Sequence, residues 1–413
     1  MDTETRTNTI SKEYLPGNTI LLKAEHQAEH HEQETVATSL ALPLDRKAII
    51  LATNDVNDET LFINGLTQNI VVLYHLFESL GYRCYLLQSN NNNGSEKKQF
   101  IRSYRVITAH DIIHHPIPIR AFIEVGMSID APTRQYLRSI GATIAKLYLG
   151  NILNIDVETV QCYQNMFFNH HLVGEIDEIW TSPHYYQHVD YAAIINRTSM
   201  DNSRVVPYVW DSCFLTQYGQ KEQMEWQPPS HGWQTQDFVM MDPNISFQKC
   251  SFYSLLLIEA FAKQHPAWRG KVHVINGDRL NISSNARNNF LPSLALYRDN
   301  RIVLYGRKKI HTILQEHRSA CFITHQWNND YNYMTLELLY CHYPILHNSE
   351  GWSEYGYYYS IDQWQQAVNT MYNALTRHSE NLNIYKTHAA RLMWKHSVHH
   401  PAVQARWNKI LDP

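Results

Sequence analysis

A tandem of two α/β domains, each built on a parallel sheet, is what this sequence predicts. Three observations carry the prediction. From Lys47 onward, short apolar runs alternate with stretches whose apolar residues recur at helical spacing. The alternation lapses in a polar, proline-containing segment and resumes at Asp237. The tail from Ile361 to Pro413 is then largely helical. Strands alternating with helices give an open parallel sheet covered on both faces, and 413 residues exceed one ordinary core. The expected organisation is a polar arm over 1–44, a Rossmann-like domain over 45–213, a linker over 214–236, a second Rossmann-like domain over 237–385, and a closing helix over 386–413 that packs back toward the first domain.

In the first half, KAIILAT reads as a buried parallel strand, because it is continuously apolar and followed by turn residues. TQNIVVLYHLFESLGY has helical periodicity and stops at Gly81. RCYLLQS is the next strand, which completes a βαβ crossover. RAFIEVG, ATIAKLYLG, DEIWTSP and SRVVPYVW continue the strands, with APTRQYLRSIG and the stretch from His184 to Ile195 as helices between them. The segment from Phe214 to Gln236 is polar, carries paired prolines and has no period, which marks the linker. In the second half FVMMDPN, KVHVING, RIVLYG, ACFITHQW and YPILHNS read as strands. SFQKCSFYSLLLIEAFAKQHP reads as one long amphipathic helix ending before Pro266. RKKIHTILQEHR and YNYMTLELLYCH are shorter helices.

Composition narrows the function classes. The net charge of −4 lacks the basic excess of a protein whose main task is gripping phosphate backbones. The 26 Tyr and 10 Trp suit a flat or partly apolar ligand such as a sugar or base. Six scattered cysteines, with no C-x-x-C pair, read as reduced thiols of a cytosolic protein. No apolar run is long enough to span a bilayer, and the N-terminus has no secretory signal. His26 and His30 in the arm read as part of a solvated stretch. His110, Asp111, His114 and His115 precede Pro116, so a loop is expected there and no metal site.

Three ordered stretches sharpen the fold. They are LFINGLTQNIVVLYHLFESLGYRCYLL, then DPNISFQKCSFYSLLLIEAF with HVING, then ITHQWNNDYNYMTLELLYCHYPILHNS. Together they resemble the GT-B architecture of glycosyltransferases, with two Rossmann-like domains facing a cleft and a C-terminal closing helix. They resemble in particular a family of bacterial and viral GT-B-like proteins catalogued as a domain of unknown function. The resemblance covers Lys47 to the end and implies a transferase. A sugar would move from a nucleotide-sugar co-substrate, expected to be UDP-linked, to a hydroxyl of a glycan, lipid or protein, with no metal or other cofactor. It also implies that Glu337 holds the donor ribose. The acidic residue that usually precedes this position is replaced here by the stretch Asn328-Asn329-Asp330.

Sugar transfer requires charge stabilisation on the leaving diphosphate, a grip on the sugar and a base for the acceptor. Asn244, Ser246 and Lys249 are expected at a helix N-terminus suited to the diphosphate. His325, Gln326 and Asn328 follow a strand end, where open α/β sheets bind ligands, and Tyr333 and Asn348 belong to the same donor group. Asn64, Gly65, Gln68, Asn69 and Asn151 are expected on the acceptor side of the cleft. Glu124, at the end of RAFIE, is the first candidate for the general base, with Asp58 in competition alongside Asp55 and Glu59. Two other readings stand beside this one. A viral or phage enzyme could glycosylate a hydroxylated DNA base, using basic stretches such as EKKQFIRSYR and YGRKKIH. A non-catalytic sugar-nucleotide binder would fit the incomplete acidic pair.

Overall fold

The computed structural model describes residues 47–52, 56, 65–88, 103–115, 117–125, 128–162, 176–218 and 221–412. The arm over 1–44, Asp55, Asp58, Glu59 and Asn64 lie outside the described residues.

Two wholly parallel sheets organise the rest. The first contains β1 (Ala48–Ala52), β2 (Arg83–Leu87), β3 (Val106–Ile107), β4 (Ile119–Glu124), β5 (Thr143–Tyr148), β6 (Glu178–Thr181) and β7 (Ser203–Val205), in spatial order β3-β2-β1-β4-β5-β6-β7. The second contains β8 (Phe238–Met240), β9 (Val272–Val274), β10 (Ile302–Leu304), β11 (Cys321–Ile323), β12 (Ile345–His347) and β13 (Tyr357–Tyr358), in order β10-β9-β8-β11-β12-β13. Both are doubly wound. Chain direction across each sheet reverses beside its first strand, between β1 and β4 and between β8 and β11. Ligands of such sheets bind at these switch points, beyond the carboxyl ends of the strands.

The strands follow from their composition. AIILA is buried at every position, as a central strand covered on both faces must be. Helix α1 (Gly65–Ser79) covers one face with Ile70, Val71, Leu73 and Phe77. Helix α2 (Ala109–His114) is begun by a capping box between Thr108 and Asp111, which holds a short helix in place of the expected loop. Its His110 and His114 are exposed. Helices α3 (Ala131–Ser139), α4 (Ile152–Cys162) and α5 (Val189–Ile195) complete the first layer.

In the second layer α6 (Phe252–Gln264), α7 (Ile310–Glu316) and α8 (Tyr333–Tyr340) flank the sheet, and α9 (Trp364–Arg377) and α10 (Leu382–Lys395) follow it. The segment after Phe214 is more ordered than a plain linker. Short helices span Cys213–Tyr218 and Lys221–Met224, and buried Trp226 donates its backbone N–H to Cys341 O at 2.9 Å. The last helix, α11 (Pro401–Leu411), returns to the first sheet. Trp407 is fully buried with ring centroids 5.4 Å from Phe77 and 5.6 Å from Trp180. Tyr82 donates to Asp412 Oδ2 at 2.5 Å.

Candidate active site

The loop after β8 is where the second sheet's switch point and the expected diphosphate residues meet. Asn244 takes a left-handed φ of 54°, which Asn tolerates better than other side chains. Its amide staples the loop: Oδ1 accepts from Ser251 N at 2.8 Å, and Nδ2 donates to Asp242 O at 3.1 Å. The turn closes through isolated bridges that pair Lys249 with Ser246 and with Gln326. Helix α6 therefore starts at Phe252, six residues later than the periodicity suggests. Ser246 is not its cap; Ser246 Oγ donates to Glu158 Oε2 of α4 at 2.6 Å, and Phe247 N donates to Glu158 Oε1 at 3.1 Å. That contact with the other domain decides the local structure, and no local sequence signal announces it.

Lys249 emerges half-buried from this turn, and among the described residues its ammonium has no hydrogen-bond or ion-pair partner. Burial lowers its pKa, and the nearby Asp242 opposes that shift. Asp242 is buried just past β8. Its Oδ1 accepts from Thr324 Oγ1 at 2.6 Å and Gln326 Nε2 at 2.8 Å, while its buried Oδ2 has no partner among the described residues. Burial raises its pKa to about 7, against the pull of these hydrogen bonds and of Lys249. Gln326 Oε1 accepts from Asn329 Nδ2 at 2.7 Å, and Asn329 Oδ1 accepts from Tyr185 OH of the first domain. A buried polar chain thus runs from one domain to the other. Neighbouring His184 has its pKa held well below the usual value, first by burial and then by the charge of Lys249.

Other buried polar atoms without a partner among the described residues collect at the same edge: Ser251 Oγ before α6, His325 Nε2 after β11 and Ser349 Oγ after β12. Such atoms are rare in folded proteins and call for an explanation. Helix α6 has no side-chain cap, so its first N–H groups are also uncapped from that side.

A family profile described as "Protein of unknown function (DUF2827)" matches residues 50–411. The chain belongs to the DUF2827 family. No curated protein sequence matches it. Its fold is similar to a glycosyltransferase from Rickettsia africae, at 12% identity and TM-score 0.53 over 89% of this chain and 98% of that one. It is also similar to HepE (Alr3699) from Anabaena, in complex with UDP and glucose, at 10% identity and TM-score 0.55 over 89% and 99% of the two chains. It is similar, too, to an E. coli trehalose-6-phosphate protein bound with UDP-2-fluoro glucose, at 10% identity and TM-score 0.55 over 88% and 98% of the two chains. The architecture of this DUF2827 member is that of the GT-B glycosyltransferases.

Within that architecture the expected residues divide. Glu337 of α8 is buried; Oε1 accepts from Gln68 Nε2 of α1 at 2.9 Å, and no hydrogen bond to Oε2 occurs among the described residues. Burial raises its pKa to about 7, the Gln68 bond opposing. Tyr333 OH lies 2.7 Å from both Asn69 Oδ1 and Val209 O and shares one proton between them, so it joins the domains rather than facing a ligand. Asn151 is buried and donates to Asn328 O at 2.7 Å. The Asn328 side chain itself stays exposed, at a φ of 48°. Gly65 opens α1, where an added Cβ would meet nothing within 4 Å, so close approach does not require glycine there.

Three expectations are corrected by packing. Glu124 does not open to a cleft. It is fully buried, with Oε1 3.1 Å from Arg134 Nη2 and Oε2 3.6 Å from Lys146 Nζ, and it also accepts from Ile129 N at 3.2 Å. His325 is fully buried, stacked on Tyr253 at 4.0 Å with Nδ1 3.0 Å from Tyr359 OH. Asn348 spends its amide on the backbone of Gln326, accepting from N and donating to O, each at 2.8 Å. Asp242, Glu158, His184 and Tyr185 were not legible as site residues. Of these only Asp242 carried a signal, a carboxylate directly after a strand.

Proposed function

We propose that this protein is a glycosyltransferase that binds the diphosphate of a nucleotide sugar between Lys249 and the start of α6. The observation that carries this reading is the Lys249 ammonium, unpaired among the described residues, beside the Asp242 and Ser251 oxygens that also lack a partner among them, at the switch point of the second sheet. An anion accepting from a helix N-terminus and a lysine gains stabilisation in a site that excludes water. Glu337, with Oε2 free, is the group for the donor ribose. The UDP and glucose held by HepE, a structure of the same fold, support a UDP-linked sugar as the first donor to try.

In the reaction, the acceptor hydroxyl oxygen bonds to the anomeric carbon and its proton passes to bulk water. The bond from that carbon to the phosphate oxygen breaks, and the nucleoside diphosphate leaves with the electron pair. Lys249 and the α6 N–H groups offset the charge that grows there. Asp242, poised near neutrality, holds a proton toward the same oxygens. The acceptor is a hydroxyl of a glycan, lipid or protein. The basic stretch YGRKKIH offers less to DNA than its sequence suggests, since Lys308 is engaged with Glu316 at 2.5 Å and with the Tyr305 ring.

Incubation with UDP-, GDP-, ADP- and dTDP-linked sugars, following release of free nucleoside diphosphate, tests the proposal. Release from one class, lost in Lys249→Ala, supports transfer. Tight binding without release under any acceptor would move the protein to the sugar-nucleotide binders.

A further inference from the structure

At the opposite end of the second sheet, three side chains from separate elements converge: Asp237 just before β8, His273 in the middle of β9, and His317 just after α7. One oxygen of Asp237 and one ring nitrogen from each histidine lie within 4.8 Å of one another. His273 Nε2 sits 2.9 Å from Asp237 Oδ2, and its Nδ1 lies 3.1 Å from Tyr305 OH. The rings of His273 and His317 are 4.3 Å apart. Among the described residues His317 Nε2 is buried and makes no hydrogen bond, and Glu316 Oε2 lies 4.0 Å from it.

We infer that Asp237, His273 and His317 form a binding site for a divalent transition metal, best suited to Zn²⁺. The chemistry fits on several counts. Two imidazoles and one carboxylate are a common zinc donor set, with bond lengths near 2.0–2.2 Å. Tetrahedral ligation at those lengths needs donor atoms about 3.3 Å apart, and the three donors already lie within 4.8 Å of one another. His273 would turn Nε2 to the metal and move its single ring proton to Nδ1, from which it donates to Tyr305 OH. Such an outer-shell bond fixes the tautomer and orientation of a ligating histidine. Asp237 Oδ1 is already fixed by Lys271 N at 2.7 Å, leaving Oδ2 for the ion. A water or Glu316 would supply the fourth ligand, Glu316 by exchanging its contact with Lys308. The site lies away from the proposed diphosphate loop, so its metal would clamp β8, β9 and the end of α7 rather than take part in transfer.

Alternative metal-binding sites must be controlled for, since the chain has 24 His and the His110 and His114 rings lie 4.1 Å apart on α2. The experiment uses the full chain, stripped with chelator and titrated calorimetrically with Zn²⁺, beside His317→Gln and His110→Gln. Co²⁺ absorption serves as an independent reporter of ligand geometry. His317→Gln removes no hydrogen bond and is expected to fold; circular dichroism checks this, and Asp237→Asn serves as a second variant. The expected result is one zinc equivalent more in wild type and His110→Gln than in His317→Gln. That equivalent should weaken by more than about 100-fold, beyond the loss of a mere outer-shell partner, and should raise the melting temperature only where it binds. Identical zinc stoichiometry and identical melting temperatures in wild type, His317→Gln and Asp237→Asn would overturn the inference.

Discussion

Replacing Glu337 by Gln separates two consequences of one buried carboxyl. Burial lifts its pKa from an ordinary 4.5 to about 7, with only the Gln68 bond working against the shift. The folded state therefore prefers the neutral acid. The stability contributed by this proton is complete below pH 4.5, declines as pH rises and is gone above about 7. At about 1.4 kcal/mol per unit, the difference is on the order of 3 kcal/mol. Gln at this position is neutral at every pH and can still accept from Gln68. Glu337→Gln should then match wild type near pH 4.5 and exceed it in stability at pH 8. For a chain of this length the unfolding entropy converts this to roughly 1 °C per kcal/mol, or about 3 °C in melting temperature. Scanning calorimetry of both proteins from pH 4.5 to 8 reads the effect. A difference independent of pH, or a variant less stable at pH 8, would show that the carboxylate is stabilised rather than strained and would refute the reasoning. The same variant should bind nucleoside diphosphate more weakly, because an amide replaces the oxygen left free for ribose. Gain in stability with loss of binding is the combination expected of a functional group.

Glu124→Gln should behave oppositely. It leaves the buried cations of Arg134 and Lys146 without their shared carboxylate, at a cost of about 3–5 kcal/mol by denaturant unfolding; a fully stable but inactive variant would instead restore Glu124 as a base. Asp242→Asn should remove a pH dependence of nucleotide affinity. Wild type should bind more weakly as pH passes about 7 and Asp242 ionises beside the diphosphate, whereas the Asn variant should give a flat profile from pH 6 to 8.5; a slope retained in the variant would assign the titration elsewhere.

The parallel strands were legible because runs such as AIILA and CFI are apolar throughout, and strands buried on both faces have to be. Helices α1 and α8 declared themselves by period. What escaped was set by partners far along the chain. The two residues of β13 form a strand because β12 pairs with them, within a stretch that otherwise reads as a Tyr-rich loop. The start of α6 is fixed by Glu158 holding the 246–247 turn. Lys249 was expected at a helix N-terminus, and Glu337 stood out because a carboxylate in MTLELLY needs a partner. Its partner, Gln68, lies 269 residues away. Glu124 misled because a strand-end carboxylate looks the same in sequence whether it faces solvent or an arginine ten residues on.

The central claim is that Lys249 marks a nucleoside diphosphate site, and ligand-induced stabilisation tests it most directly. Wild type and Lys249→Ala would be melted with UDP, GDP, ADP and dTDP, with CMP alongside. A ligand at 100 times its dissociation constant adds about 2.7 kcal/mol, on the order of 3 °C here. The account predicts that one diphosphate raises the melting temperature of wild type by that amount and leaves Lys249→Ala unmoved. Equal shifts in both proteins, or none with any diphosphate, would contradict it.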